Sequence, residues 1–212
     1  QTGPDVGPTY AGGMYYDRST NVIHVTGETY GSFSGPGVEP PAFSNCYYAS
    51  VALPNFQFRA RQTYGSKSAP EACNSISMTT IQSSSAAVVV GTTEQSGILT
   101  SLGAGKEAVQ YGFAMDLANV DGSMELQGGA LLDDNPVQYP IMVETDENIA
   151  WVASMISSDS RVSPDFEKTS DPEFPNLTNG GIEKYGSKFR IVLDKYKIER
   201  TGAAANGGLL EN

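Results

Sequence analysis

Three stretches of this chain repeat one another at nearly constant spacing. Residues 14–27 read MYYDRSTNVIHVTG, residues 78–91 read MTTIQSSSAAVVVG, and residues 141–154 read IMVETDENIAWVAS. Each has a strand-like start, a polar turn, and an apolar run that closes in a small residue. The closing residues Gly27, Gly91 and Ser154 lie 64 and 63 positions apart. Such a period marks a repeat architecture, in which each unit hides its apolar face against its neighbour.

A second set of matches follows. Residues 47–53 (YYASVAL), 111–117 (YGFAMDL) and 187–193 (SKFRIVL) align without gaps. Their alternation over seven residues argues for half-buried strands. It groups Ala49, Val51 and Leu53 on one face, then Phe113, Met115 and Leu117, then Phe189, Ile191 and Leu193. Turns are expected at Pro54-Asn55, Asn119-Val120-Asp121-Gly122 and Asp194-Lys195, and fourth strands over 56–64, 124–126 and 197–201. Each unit is therefore predicted to be a four-stranded antiparallel meander. The units cover about 10–73, 74–136 and 137–205 of a single repeat domain spanning 1–212. Irregular insertions at 32–45, 95–110 and 157–186 fill the same slot of each unit, which makes one rim the natural recognition face. The tail 202–212 is expected to be a connection onward.

Charge narrows the partners. Twenty-four acidic residues against 13 basic ones give a formal net charge of -11. A basic footprint for nucleic acid is missing, as is a polybasic patch for a membrane surface. No apolar run is long enough to span a bilayer, so no membrane insertion is expected. Cys46 and Cys73, 27 positions apart, are expected to form a disulfide, because an acidic, Ser/Thr-rich, Lys-poor chain suits a secreted surface. The sequon Asn176-Leu177-Thr178 marks Asn176 as a glycosylation acceptor on the same route.

Catalytic constellations are scarce. The single histidine, His24, aligns with Val88 and Trp151 and reads as a packed strand residue. No G-x-S-x-G elbow accompanies it, and His24 with two cysteines does not make a zinc set. Gly103-Ala104-Gly105-Lys106 lacks the hydroxyl residue and the context of a phosphate loop, since Glu107 follows. Asp133, Asp134, Glu144 and Asp146 are weak calcium candidates, and solvated turn carboxylates are the plainer reading; no other cofactor is expected. Asp159, Asp165 and Glu167 lie in the longest insertion and, with Tyr30 and Phe33, make up a candidate binding rim.

Met14-Tyr15-Tyr16-Asp17, the run Asn21-Val22-Ile23-His24-Val25-Thr26-Gly27, Phe33, Ala49-Ser50-Val51-Ala52-Leu53 and Thr63-Tyr64-Gly65 together resemble the β-propeller repeat of secreted microbial proteins, often found in seven-bladed form. Similar repeats occur in large secreted proteins of algae such as diatoms. The third unit departs from the pattern at Ser154 and in its long insertion. The resemblance implies an all-β fold of three blade-like repeats in an incomplete, open propeller; a β-sandwich is the alternative. Propellers close with 4–8 blades, so three leave two blade faces open. The chain is expected either to be a piece of a longer protein or to be completed by partners. The implied function is a non-enzymatic, extracellular structural or interaction module of a cell-surface, cell-wall or appendage protein. Its partners would be further blades, other copies, neighbouring extracellular proteins or glycans. A calcium-assisted glycan-binding module and a carbohydrate-active enzyme are the alternatives.

Overall fold

The structure, a computed structural model, describes residues 7–31, 43–65, 70–81, 83–93, 111–120, 123–132, 138–157, 189–199 and 208–211. The regular elements among them are all strands. The first sheet holds β1 (Thr9–Asp17), β2 (Val22–Thr29), β3 (Asn45–Ala52) and β4 (Gln57–Tyr64). The second holds β5 (Glu71–Ile81), β6 (Ser84–Thr93), β7 (Tyr111–Val120) and β8 (Ser123–Leu131). The third holds β9 (Gln138–Asp146), β10 (Ile149–Ser157), β11 (Phe189–Glu199) and, at its edge, the short β12 (Gly208–Glu211). Strands pair antiparallel in chain order, and no first strand meets its fourth, so each sheet is open.

Local chemistry sets the hairpins. In the β1–β2 turn the Asp17 carboxylate accepts from the Ser19 N–H at 2.8 Å, the Ser19 hydroxyl at 2.7 Å and the Thr20 hydroxyl at 2.6 Å. These bonds, led by those from the Thr20 and Ser19 side chains, lower its pKa to about 2. Backbone φ turns positive at Asn21, Ser83 and Glu147, once in the first hairpin of every sheet. Left-handed residues match the twist of short hairpin turns.

The repeat extends to the irregularities of pairing. In each sheet the first strand carries one residue too many near the end of the second: Gly12, Asn74 and Ile141. The steps fall beside Gly27, Gly91 and Ser154, which therefore share one structural position. A Cβ on Gly27 would land on the Tyr10 carbonyl oxygen and 2.8 Å from the Tyr47 ring. A Cβ on Gly91 would land on the Ala72 carbonyl oxygen and 2.9 Å from the Phe113 ring. Across from Ser154 the third strand supplies Val192, with no ring, and a Cβ is accommodated.

This register defines two faces on every sheet. We name the face carrying Val25, Val89 and Val152 the front, and the face carrying His24, Val88 and Trp151 the back. The back of the first sheet packs on the front of the second, setting Cys46, Tyr48 and Tyr64 against Ile76, Val89, Phe113, Met115 and Leu117. The back of the second packs on the front of the third, setting Val88, Val90 and Ala114 against Val143, Ala150, Val152, Tyr196 and Ile198. Residues 86–90 of β6 have no exposed surface. Their continuous Ala-Ala-Val-Val-Val run is what a strand covered on both faces requires. Two-sheet packing alone does not describe this arrangement, because the middle sheet is buried on both sides.

The sheets lie closest at their first strands, β1 on β5 and β5 on β9. A Cβ on Gly12 would land on the Cys73 carbonyl, so glycine lets two backbones touch there. Side chains link β5 to β9: Asn74 Nδ2 donates to the Pro140 carbonyl at 2.8 Å, Ser77 Oγ meets Thr145 Oγ1 at 2.8 Å, and the Thr79 hydroxyl donates to the Glu147 carbonyl at 2.6 Å. The expected disulfide is formed, joining Cys46 of β3 to Cys73 of β5 with both residues buried. Because β5 begins at Glu71, Cys73 belongs to the second sheet, and the bond fastens one sheet to the next.

Four expectations are corrected. Tyr47 pairs with Gly27, Phe113 with Gly91 and Val192 with Ser154, so the ungapped third-strand alignment is displaced by two residues in the second unit and five in the third. The odd displacement exchanges faces: Ile191 and Leu193, grouped with the core positions Met115 and Leu117, point outward and are each 62% exposed. Asp194 and Lys195 form no turn, since β11 runs through them and pairs them with Val152 and Trp151. The fourth strand of the third sheet is β12, within the stretch expected to be a connection, and not residues 197–201.

Candidate interaction faces

Among the described residues, stacking three sheets front to back leaves two faces uncovered, the front of the first and the back of the third. Both are apolar. On the first, Met14 is 68%, Tyr16 45% and Phe58 57% exposed, beside the half-buried Ile23, Val25 and Val51. Arg61 places its guanidinium 5.2 Å from the centre of the Phe58 ring. On the third, Met142, Trp151, Ile191 and Leu193 are exposed, and the Lys195 ammonium lies 5.6 Å from the Trp151 ring centre. A contiguous apolar face on a folded protein marks an interaction site.

The covered faces show what these surfaces are built to do. Pairing register makes Met14 the counterpart of Ile76 and Val143, Val51 that of Leu117 and Tyr196, and Phe58 that of Leu126. Ile76, Leu117, Val143 and Tyr196 are buried between sheets, with Leu126 packed beside them. Trp151 likewise occupies the position of Val88, which is fully buried against the third sheet.

The interior holds a small polar group. His24 Nδ1 and the Tyr48 hydroxyl share a 2.7 Å hydrogen bond, and Tyr15 lies with its ring centre 6.5 Å from that of His24. Burial lowers the His24 pKa and raises that of Tyr48 to about 12, so both are neutral. Burial also pushes up the Tyr64 hydroxyl, which donates to the Met124 carbonyl at 2.5 Å and ties β4 to β8. His24 therefore sits as a packed strand residue at the Val88 and Trp151 position, as its alignment predicted.

The rim candidates do not assemble into a described site. Tyr30 is exposed just beyond β2. Phe33, Asp133, Asp134, Asp159, Asp165, Glu167 and the sequon residue Asn176 lie outside the described residues. Glu144 and Asp146 are exposed on β9. Among the described residues, no three His, Cys, Asp or Glu side chains are grouped to hold a metal ion, and no helix is long and apolar enough to cross a membrane. Of the tyrosine pairs, Tyr15 faces His24 while Tyr16 is exposed and donates to Asn21 Oδ1 at 2.8 Å; Tyr47 and Tyr48 are both buried. Two open faces were expected from the blade count, but the side chains that make them up escaped sequence reading. Their signal is the pairing position relative to Gly27, Gly91 and Ser154, which assigns a face to every apolar residue of β1, β10 and β11.

No protein-family model matches the chain, and no curated protein matches it.

Proposed function

We propose that this chain is a non-enzymatic structural and interaction module of the extracellular space, an open run of three propeller-like blades that works through its two end faces. One observation carries the reading: the middle sheet is covered on both sides, while its neighbours each leave an apolar face of equivalent design in solvent. The disulfide between the first two sheets suits an oxidising compartment.

The test uses Phe58→Asp on the first sheet and Leu193→Asp on the third, at chain concentrations where the protein is monomeric. Each variant is expected to melt within about 0.5 kcal/mol of the parent, because exposed substitutions cost little. Each is also expected to lose hydrophobic-dye binding at its own end, and the double variant most of it. Losses of several kcal/mol in both variants would place these side chains in the monomer's core and contradict the reading.

A further inference from the structure

We propose that the partner of each end face is a second copy of this chain, joined head to tail: the back of the third sheet of one copy on the front of the first sheet of the other. This rests on the interaction-module reading and names its partner. The protein already makes this contact twice within itself, first sheet on second and second on third, always back on front. The two faces left over are one front and one back. They are opposite halves of an interface, so a further back-on-front contact continues the internal series, whereas front on front does not.

The pairing register says what would meet. Val88 on the back of the second sheet shares a buried cluster with Val143, Ala150 and Val152 on the front of the third. The counterpart of Val88 is Trp151, and the counterparts of those three are Met14, Ile23 and Val25. Trp151 of one copy is thus placed over Met14, Ile23 and Val25 of the other. A polar contact recurs as well. Ser77 meets Thr145 at 2.8 Å across the internal interface, and their counterparts are Glu144 and Tyr16, whose phenol would turn from Asn21 to donate to the carboxylate. Closed propellers hold about 4–8 blades. With three sheets among the described residues of each copy, two copies supply six and close the ring, and no other number of copies falls in that range.

Sedimentation velocity on the full chain tests this with one variant per face, Met14→Asp on the front and Trp151→Asp on the back. The unmodified chain is expected at twice the single-chain mass. Each variant alone breaks both junctions of the ring and is expected to run as a monomer, its dissociation constant weakened roughly 30-fold or more, as for a central aromatic anchor. Mixed in equal amounts, the two variants are expected to form a mixed dimer, because one junction then joins an intact back to an intact front. Either variant remaining dimeric by itself would overturn head-to-tail joining in favour of like faces meeting. An unmodified chain that stays monomeric at every concentration would overturn the second copy as partner and assign the faces to sheets outside the sequence given, in the same or another polypeptide. That last result leaves the module reading standing if the dye experiment succeeds, so the two fail separately.

Discussion

Aspartate in place of Val88 is expected to abolish folding, whereas aspartate in place of Trp151 leaves the monomer folded. The two positions are equivalent in register, each set between a first strand and a third strand of its own sheet. Only their surroundings differ. Val88 has no exposed surface and lies between the second and third sheets, while Trp151 is 39% exposed on a face that no other sheet among the described residues covers. A carboxylate at 88 would have to be desolvated without a partner, which costs several kcal/mol. Against a total stability of about 5–15 kcal/mol, that is enough to unfold the chain. At 151 the charge stays in water, and the change in monomer stability is expected within about 1 kcal/mol. Circular dichroism and thermal melts of the two variants, read at concentrations that keep the chain monomeric, check the contrast. Equal damage from both would mean that the third sheet's back is covered within the monomer.

Replacing Cys46 and Cys73 together by serine is expected to cost about 3 kcal/mol, from the lost closure of a loop of 27 residues. For a chain of this length that corresponds to a fall in melting temperature of roughly 6–12 °C. The bond joins β3 of the first sheet to β5 of the second, so its loss acts on the seam between sheets. The first sheet is therefore expected to loosen before the second and third, which remain tied by the β5–β9 hydrogen bonds. Thermal melts with and without reductant, and of the double serine variant, give the shift. A melting temperature unchanged in both would show that the seam is held by packing alone.

How much of this was legible in the sequence depended on the parity of each alignment. Three meanders of one design follow from residues 14–27, 78–91 and 141–154, and the alignment of Gly27, Gly91 and Ser154 holds down to the bulge beside each. The hairpins differ in length: Asp17 pairs with Val22 across four residues, whereas Ile81 pairs with Ser84 and Asp146 with Ile149 across two. The shorter loop slips the match of Met14 to Ile141 by two from its true counterpart Val143, whereas β5 and β6 pair two residues further toward their turn and slip the match to Met78 by two the other way, from Ile76. A slip of two keeps every side chain on its face, so that error was harmless. The slip of five in β11 was not, because it turned Ile191 and Leu193 from solvent to core. Nothing in SKFRIVL alone could have revealed it, since residues 190–198 read equally well in either register until the partner strand is known. Two open faces were expected from the number of units, but which residues lie on them stayed hidden for the same reason. An apolar side chain such as Phe58 looks the same in sequence whether its face is covered, like that of Leu126, or open.

The account stands on the middle sheet being enclosed by its own two repeats, and residue-resolved amide hydrogen exchange measures that enclosure. At concentrations that keep the chain monomeric, the amides of residues 86–90 in β6 are expected to exchange slowest of all, only through global unfolding, with β2 and β10 at their equivalent positions less protected. Protection in β6 equal to or below that in β2 and β10 would mean that the three sheets do not stack in chain order, and the assignment of front and back faces would fall with it.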